Sequence, residues 1–206
     1  MTVTWLGHAC FLLESGGYRV VIDPYKGVRG LADTNVTAHA VFCSHTHYDH
    51  AYTEGVQLLE GADSPFTVTE IPTFHDDQAG QLRGENTVRC FQAEGLRVVH
   101  LGDLGHQLSA EQAAAIAGCD VLMVPVGGTY TLDAVGAKAV CDAVGARIVV
   151  PMHYRRGTMG FENIGTLEAF TALAAADAVR EYEGASLEVD GDTPAHTAVL
   201  RPVNLL

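Results

Sequence analysis

Three histidines and one aspartate lie within six residues, in the order His45-Thr46-His47-Tyr48-Asp49-His50. Neutral imidazole and carboxylate groups are ligands that zinc, manganese and iron accept in proteins. On a strand, His45 and His47 would point the same way, and a turn after His47 would let Asp49 and His50 face the same pocket. A solvated histidine-rich loop is the alternative, but such a loop rarely follows an apolar run like 40–43. The segment therefore predicts a metal site.

The pattern His45-x-His47-x-Asp49-His50 resembles the H-x-H-x-D-H signature of the metallo-β-lactamase superfamily. Other segments resemble, in order and spacing, the branch of small stand-alone metal-dependent hydrolases related to ascorbate-6-phosphate lactonase. These segments are Gly7-His8-Ala9, Asp23-Pro24, Gly84-Glu85-Asn86, Gly102-Asp103, Pro125-Val126-Gly127-Gly128 and Pro151-Met152-His153-Tyr154. The resemblance covers about residues 2 to 200. It implies an α/β fold, a four-layer αββα sandwich with metals at one edge between the sheets.

The resemblance also implies two divalent metal ions. Zinc is the expected ion, although manganese, iron and nickel accept the same ligands. His45, His47 and a later histidine would hold the first ion. Asp49, His50 and a late histidine would hold the second, and one aspartate would bridge the two ions.

Three residues that follow predicted strands best match the remaining ligands. His75 matches the later histidine, Asp103 the bridging carboxylate and His153 the last ligand. The alternatives are a surface histidine at 75, a capping aspartate at 103 and a core histidine at 153. An acidic group just past a buried strand needs a partner, which favours the ligand interpretation for Asp103.

Further residues are expected to support the site. His8 is expected close to it, contacting the substrate or a ligand, and is grouped with Asp49 and Asp103 as a residue that takes part in catalysis. Asp23 is expected to orient a ligand imidazole or its loop through hydrogen bonds, with a turn-forming Asp-Pro as the alternative. Asn86 is expected at the edge of the site.

Hydrolysis is the function that this arrangement favours. Two ions sharing a carboxylate would lower the pKa of a bound water from about 15.7 towards 7, which yields a nucleophile at neutral pH. By resemblance, opening a lactone or another cyclic ester is the first expectation and phosphodiester cleavage the second. The alternatives are a mononuclear iron oxidase or dioxygenase of the same fold, and a non-catalytic metal-binding module.

Hydrophobic periodicity predicts the elements that must position these residues. Strands are predicted at 3–6, 10–14, 18–22, 39–43, 66–71, 88–91, 97–101, 121–124 and 147–150, with two or three more between about 179 and 201. Helices are predicted at 109–117, 132–144 and 167–176, the first with Ser109 as N-cap and Gln112 at its third position. Strands followed by strand–helix alternation predict an α/β sandwich in one domain, residues 1–206.

Composition limits the classes of partner. The net charge of −13 disfavours nucleic acid and anionic membranes, so we expect a small-molecule substrate, with a homo-oligomer left open. Five cysteines without a C-x-x-C pair are expected to be small core residues in a reducing compartment. The first residues resemble no secretion signal, and no apolar run is long enough to span a membrane, so a cytoplasmic location is expected.

Overall fold

Two β-sheets, of five and seven strands, contain most of the regular structure in the computed structural model, which describes residues 1–206 except Ala176. The strands are β1 (Thr2–Gly7), β2 (Cys10–Ser15), β3 (Tyr18–Ile22), β4 (Val36–Ala38), β5 (Ala40–Phe42), β6 (Val56–Leu58), β7 (Thr67–Phe74), β8 (Glu85–Ala93), β9 (Leu96–His100), β10 (Val121–Pro125), β11 (Ile148–Met152), β12 (Val179–Glu181), β13 (Ser186–Glu188) and β14 (His196–Val199). The α-helices are α1 (Ala110–Ile116), α2 (Ala134–Val144) and α3 (Leu167–Thr171).

The five-stranded sheet has the order β13-β1-β2-β3-β5 and grows from an antiparallel meander. Gly16 and Gly17 form the turn between β2 and β3, both with positive φ, which is a conformation that glycine adopts without a steric penalty. Strand β5 then pairs in parallel with β3. This arrangement places the end of β5, and the histidine cluster after it, at one edge of the sheet.

The seven-stranded sheet has the order β12-β14-β11-β10-β9-β8-β7. Strands β9, β10 and β11 run parallel, and helices α1 and α2 provide the crossovers between them. Helix α2 packs on β10 and contacts both α1 and α3, so the three helices form a layer on this side of the molecule. Between β3 and β7 the described chain holds short strands and a 3-10 turn, Thr53–Gly55.

Aromatic contacts join the two sheets across a common core. Phe42 of the first sheet meets Phe91 of the second with ring centroids 5.4 Å apart. Trp5 and Tyr154 make a second such contact at 5.5 Å. These side chains belong to one continuous cluster of buried apolar residues, apart from the partly buried Phe42, which packs against it. The two packed sheets, with the helices outside the larger one, agree with the expected α/β sandwich.

Several predicted element boundaries need correction. The predicted strand 39–43 is shorter in the structure, where Ala40–Phe42 joins β3. His39 separates it from Val36–Ala38, which pairs with Val56–Leu58 in a separate two-stranded sheet. Neither β4 nor β6 was predicted as a separate strand. The strand ends at Phe42, so His45 and His47 lie in a loop rather than on a strand.

The helices follow their capping signals more closely than their apolar patterns. Ser109 caps α1 and forms the predicted reciprocal pair of hydrogen bonds with Gln112. Helix α2 begins after the N-cap Asp133, two positions later than predicted. Helix α3 ends at Thr171, where the backbone changes to three-residue hydrogen bonds; the predicted end at Ala176 lies outside the described residues.

Most of the cysteines are buried, as the sequence predicts. All five cysteines are free thiols; four are buried and Cys43 is partly buried. Burial raises the pKa of Cys119 and Cys141 to about 12, so these thiols stay protonated and unreactive at neutral pH. No helix among the described residues has the length and apolarity that crossing a bilayer requires.

Candidate metal centre

Strand ends place the three later candidate ligands at one edge of the seven-stranded sheet. Strands β7 and β9 both pair antiparallel with β8, so β7 runs in the same direction as β9, β10 and β11. His75 follows β7 directly, Asp103 lies three residues past β9, and His153 follows β11. Because the carboxyl ends of these strands meet at one edge, residues far apart in sequence become neighbours.

Three imidazoles converge on one oxygen atom of Asp103. The Nε2 atoms of His50, His75 and His153 each lie 3.2 Å from Asp103 Oδ2. The Asp103 side chain is 2% exposed, so this charge is almost completely removed from water. The backbone N–H of Asp103 donates to Asn86 Oδ1 at 2.9 Å, which fixes the loop that carries the carboxylate.

The structure brings all seven predicted ligands together, in three overlapping groups whose nitrogen or oxygen atoms lie within 4.8 Å of one another. One group is His45, His47 and His75, the set expected for the first ion. A second group is His45, His50 and Asp103. The third contains His8, Asp49, His50 and His153, which is the set expected for the second ion with His8 added.

Hydrogen bonds at Nδ1 orient the imidazoles of His45, His50 and His75. Asp23 Oδ2 accepts from His50 Nδ1 at 2.9 Å and from Ser44 Oγ at 2.6 Å. Since the Ser44 hydroxyl donates to Asp23, its oxygen accepts from His45 Nδ1 at 2.9 Å. His75 Nδ1 donates to the Tyr130 carbonyl oxygen at 3.0 Å. In neutral His45 and His75 these bonds hold the proton on Nδ1 and leave an Nε2 lone pair for the centre, and His50 offers one once its Nε2 proton is lost.

Buried polar atoms without partners show that these residues fit metal ions. Among the atoms of the described residues that are buried and have no hydrogen-bond partner are Nε2 of His45 and Oδ1 of Asp103. Leaving such atoms unpaired in a low-dielectric interior costs about 1–3 kcal/mol each. Divalent cations would satisfy the lone pairs of both atoms, and imidazole and carboxylate are suitable ligands for zinc or similar ions.

Burial and mutual proximity shift the pKa values within the cluster. Burial, reinforced by the charge of His50, lowers the pKa of His45 to about 3. Burial alone would also lower the pKa of His50, but the charge of Asp103 and hydrogen bonds to two carboxylates hold it well above its ordinary value. Burial would raise the pKa of Asp103, yet the charges of His153 and His50 hold it well below the ordinary range. The metal-free centre is thus an ionised carboxylate beside a protonated His50.

His8 lies beside the second group, as expected. Its Nε2 donates to Asp49 Oδ2 at 3.3 Å, and its ring packs against His153 with centroids 4.2 Å apart. Burial and the charge of His153 lower the pKa of His8 to about 4, so its ring is neutral at neutral pH. Both His8 and His153 have positive φ, a strained conformation for residues with a side chain that is often found at functional sites.

Other residues singled out in the sequence have structural positions. Asn86 holds Asp103 and donates to Thr73 Oγ1 and the Leu101 carbonyl, so it supports the edge of the site from inside. His100 is buried in β9 and donates from Nε2 to the Ala9 carbonyl at 2.8 Å, away from the ligand groups.

Sequence reasoning missed several residues of the site. Ser44 links Asp23 to His45, and its position directly before the cluster was the only available signal. Tyr130 contributes a backbone carbonyl, which no residue type marks in a sequence. Arg83 lines the neighbouring cavity and precedes the Gly84-Glu85-Asn86 segment, but nothing in the sequence assigned it a role.

A cavity of about 650 Å³ opens onto the centre. His47, Asp49, His75, Asp103 and His153 form its polar floor. The remaining lining residues are Thr46, Tyr48, Arg83, Tyr130 and Phe161. This volume lies in the range of small-molecule sites, and the aromatic walls are typical of such sites.

Comparisons of sequence place the chain in a known family. A family model described as the beta-lactamase superfamily domain matches residues 2–153. A UPF0173 protein from Pyrococcus abyssi is 32% identical over 186 residues, with coverage of 78% of this chain and 85% of the relative. A UPF0173 metal-dependent hydrolase from Methanoregula boonei is 30% identical over 185 residues, with coverage of 75% and 82%.

A solved structure extends the likeness to nearly the whole chain. A candidate Zn-dependent hydrolase of the metallo-β-lactamase superfamily from Thermotoga maritima shares 34% sequence identity, and the match covers 97% of each chain with a TM-score of 0.76. The family match spans well over half of the present sequence. This chain belongs to the metallo-β-lactamase superfamily.

Proposed function

We propose that this chain is a metal-dependent hydrolase that uses two divalent metal ions to cleave a small ester, lactone or phosphodiester. The observation that carries the proposal is the convergence of three imidazoles on the buried Asp103 carboxylate, beside atoms that have no other partner. Relatives named as metal-dependent hydrolases support the reaction class.

The seven candidate ligand residues would hold two ions. His45, His47 and His75 would hold the first ion, because their nitrogens form one group. Asp49, His50 and His153 would hold the second, with Asp103 between the two sets. Divalent ions bound in this way supply a water of lowered pKa and neutralise the charge that develops on the substrate oxygen. Zinc is the proposed ion on the basis of its preference for these ligands.

The ionisation state of Asp49 suits this chemistry. Burial alone would raise the pKa of Asp49, but the hydrogen bond from His8 and the charge of His50 lower it, so the carboxylate is ionised at neutral pH. An ionised Asp49 at the cavity floor would accept a hydrogen bond from a water molecule and orient it. His8 holds Asp49 by donating from Nε2. We therefore assign catalytic contacts to Asp49 and Asp103, with His8 as a positioning residue.

The cavity and the overall charge support a small substrate. A volume of about 650 Å³ bounded by Tyr130 and Phe161 accommodates a drug-sized molecule rather than a polymer. The net charge of −13 opposes the binding of RNA or DNA, whose affinity depends on contacts to phosphates. Cyclic esters are the first class to test, because the motif segments resemble the lactonase branch, and phosphodiesters are the second.

Metal analysis combined with a substrate screen tests the proposal. Purified protein should contain two metal equivalents, lose activity towards lactones, phosphodiesters or thioesters on chelation, and recover it when zinc or manganese is added. One iron equivalent with oxygen consumption would favour the mononuclear oxidase instead. Full metal loading without turnover of any of these substrates would favour a binding module.

A further inference from the structure

The cavity over the metal centre contains a single cationic side chain among its described lining residues, that of Arg83. In a chain with 25 acidic and 12 basic residues, a positively charged side chain in this cavity is unexpected. Within the described chain, no carboxylate lies within ion-pair distance of its guanidinium group. By contrast, Arg89, Arg147 and Arg156 each pair with an acidic side chain.

The loop that carries Arg83 is held by a buried carboxylate next to a candidate ligand. Asp76, which follows His75, accepts four backbone N–H groups at 2.8–3.0 Å, including those of Leu82 and Arg83 itself. The backbone of Arg83 is therefore fixed relative to the metal centre.

The guanidinium group is placed by the opposite wall of the cavity. Arg83 Nη2 donates to the Thr129 carbonyl at 3.0 Å, and the guanidinium carbon lies 5.7 Å from the centre of the Tyr130 ring. Guanidinium has five N–H donors, and this is its one hydrogen bond among the described residues. The remaining donors are available to a ligand in the cavity.

We propose that Arg83 binds an anionic group of the substrate, a carboxylate or a phosphate, while the scissile bond lies at the metal centre. This inference rests on the proposed hydrolase function and narrows it to small anionic esters or lactones. A planar guanidinium matches both oxyanions with two parallel hydrogen bonds. The aromatic faces of Tyr130 and Phe161 would contact the uncharged part of the molecule.

A purely structural role explains the position of Arg83 less well. Asp76 already secures the loop through four hydrogen bonds, and the arginine adds one contact to a carbonyl. If loop stability were the only requirement, an unpaired cation would not be needed inside an active-site cavity. The cation also offsets the repulsion that the acidic protein exerts on an anionic substrate.

A matched pair of esters tests the inference. The probes are 4-nitrophenyl hexanoate and mono(4-nitrophenyl) adipate, which differ in that a terminal carboxylate replaces a methyl group. For Arg83→Gln we expect a rise in KM for the adipate of about tenfold to a hundredfold, since a charge-assisted hydrogen-bonded pair is lost. The kcat for both esters and the KM for the hexanoate should change by less than about twofold. Arg83→Lys should restore part of the adipate affinity, because lysine keeps the positive charge but cannot form two parallel hydrogen bonds to the carboxylate.

Arg180→Gln is the control, because it removes the same charge from an exposed position on β12, outside the lining of the cavity. It should leave both esters unaffected. Equal losses for the two esters in Arg83→Gln, or no change in either, would overturn the anion-binding role. Metal content of the Arg83 variants is measured in parallel and should equal that of the unsubstituted protein.

A binding measurement separates this inference from the proposed reaction. Isothermal titration of the metal-loaded protein with inorganic phosphate and with acetate should give dissociation constants that rise about tenfold in Arg83→Gln. The anion with the larger loss identifies the preferred group. Unchanged constants for both anions would refute the role of Arg83 even if the esters are hydrolysed. Weakened anion binding without hydrolysis of either ester would retain the anion site and reject the proposed function.

Discussion

Asp23 Oδ2 lies 2.9 Å from His50 Nδ1, and both side chains are fully buried. The same carboxylate accepts from the backbone N–H and the hydroxyl of Ser44, which in turn contacts His45. One aspartate thus sets the orientation of two neighbouring candidate ligands, whose ring centroids lie 4.3 Å apart. A residue outside the ligand set therefore controls the geometry inside it.

Replacement of Asp23 by Asn should weaken metal binding without removing a ligand. The amide keeps one accepting oxygen, puts an N–H donor in place of the other and carries no charge, so the His50 imidazole becomes a weaker metal ligand, and we expect a loss of about tenfold to a hundredfold in metal affinity. Competition with a chromogenic chelator measures it. Asp192→Asn, at an exposed position, is the matched control. An affinity equal to that of the control would contradict the orienting role.

Asp103→Ala should abolish turnover and lower the occupancy of both metal sites. The substitution removes the oxygen on which His50, His75 and His153 converge. It leaves these imidazoles close together without an anion between them. Elemental analysis and the hydrolysis assay provide the two measurements. Full activity in this variant would refute the bridging position.

His153→Ala should weaken one metal site preferentially, because this residue belongs to the group with Asp49 and His50 and not to the group with His45. Stepwise metal titration should show one tight equivalent and one weakened equivalent. His196→Ala is a suitable control: His196 lies on the neighbouring strand, hydrogen-bonds Tyr182 and is outside the three ligand groups. Two tight equivalents in His153→Ala would reject the assignment.

The positions of these ligands could be predicted because chemistry and topology restrict them together. Few residue types bind divalent ions, and the segment 45–50 contains two of them, histidine and aspartate, at four of its six positions. Parallel strands then end at a common edge, so the sequence alone marks ligand-type residues just after strands, such as His75 and His153, as candidates. The resemblance to a known signature selected among these candidates.

Backbone interactions and short strands could not be predicted from the sequence. The carbonyl of Tyr130 fixes His75, but every residue has a carbonyl. Strands Val36–Ala38 and Val56–Leu58 pair over three residues each, too few to show an alternating pattern. The position of Arg83 depends on the turns that Asp76 stabilises, which follow from three-dimensional contacts rather than from spacing.

Zinc binding at pH 7 should release about one proton from His50. Its pKa is held well above the ordinary value despite burial, so the metal-free imidazole is protonated at pH 7 and must lose that proton to offer an Nε2 lone pair. His45, with a pKa lowered to about 3, is already neutral and releases none. Titration calorimetry in two weakly coordinating buffers of different ionisation enthalpy counts the protons. Affinity should fall as the pH is lowered, and binding without proton release would contradict this protonation state.

Gly102→Ala should destabilise the protein and displace Asp103. Gly102 has φ +57°, and an added Cβ would collide with Asn86 Oδ1 and lie 2.5 Å from the Ser44 Cβ. Both neighbours support the candidate ligands, so the clash would reach the metal centre directly. The left-handed backbone and the overpacking together should cost about 2–4 kcal/mol. Gly118→Ala separates the two effects, since Gly118 has φ +64° with open space around it and should cost about 1 kcal/mol. Denaturant unfolding of both metal-free variants gives the difference, and equal losses would show that the contacts of Gly102 impose no steric requirement.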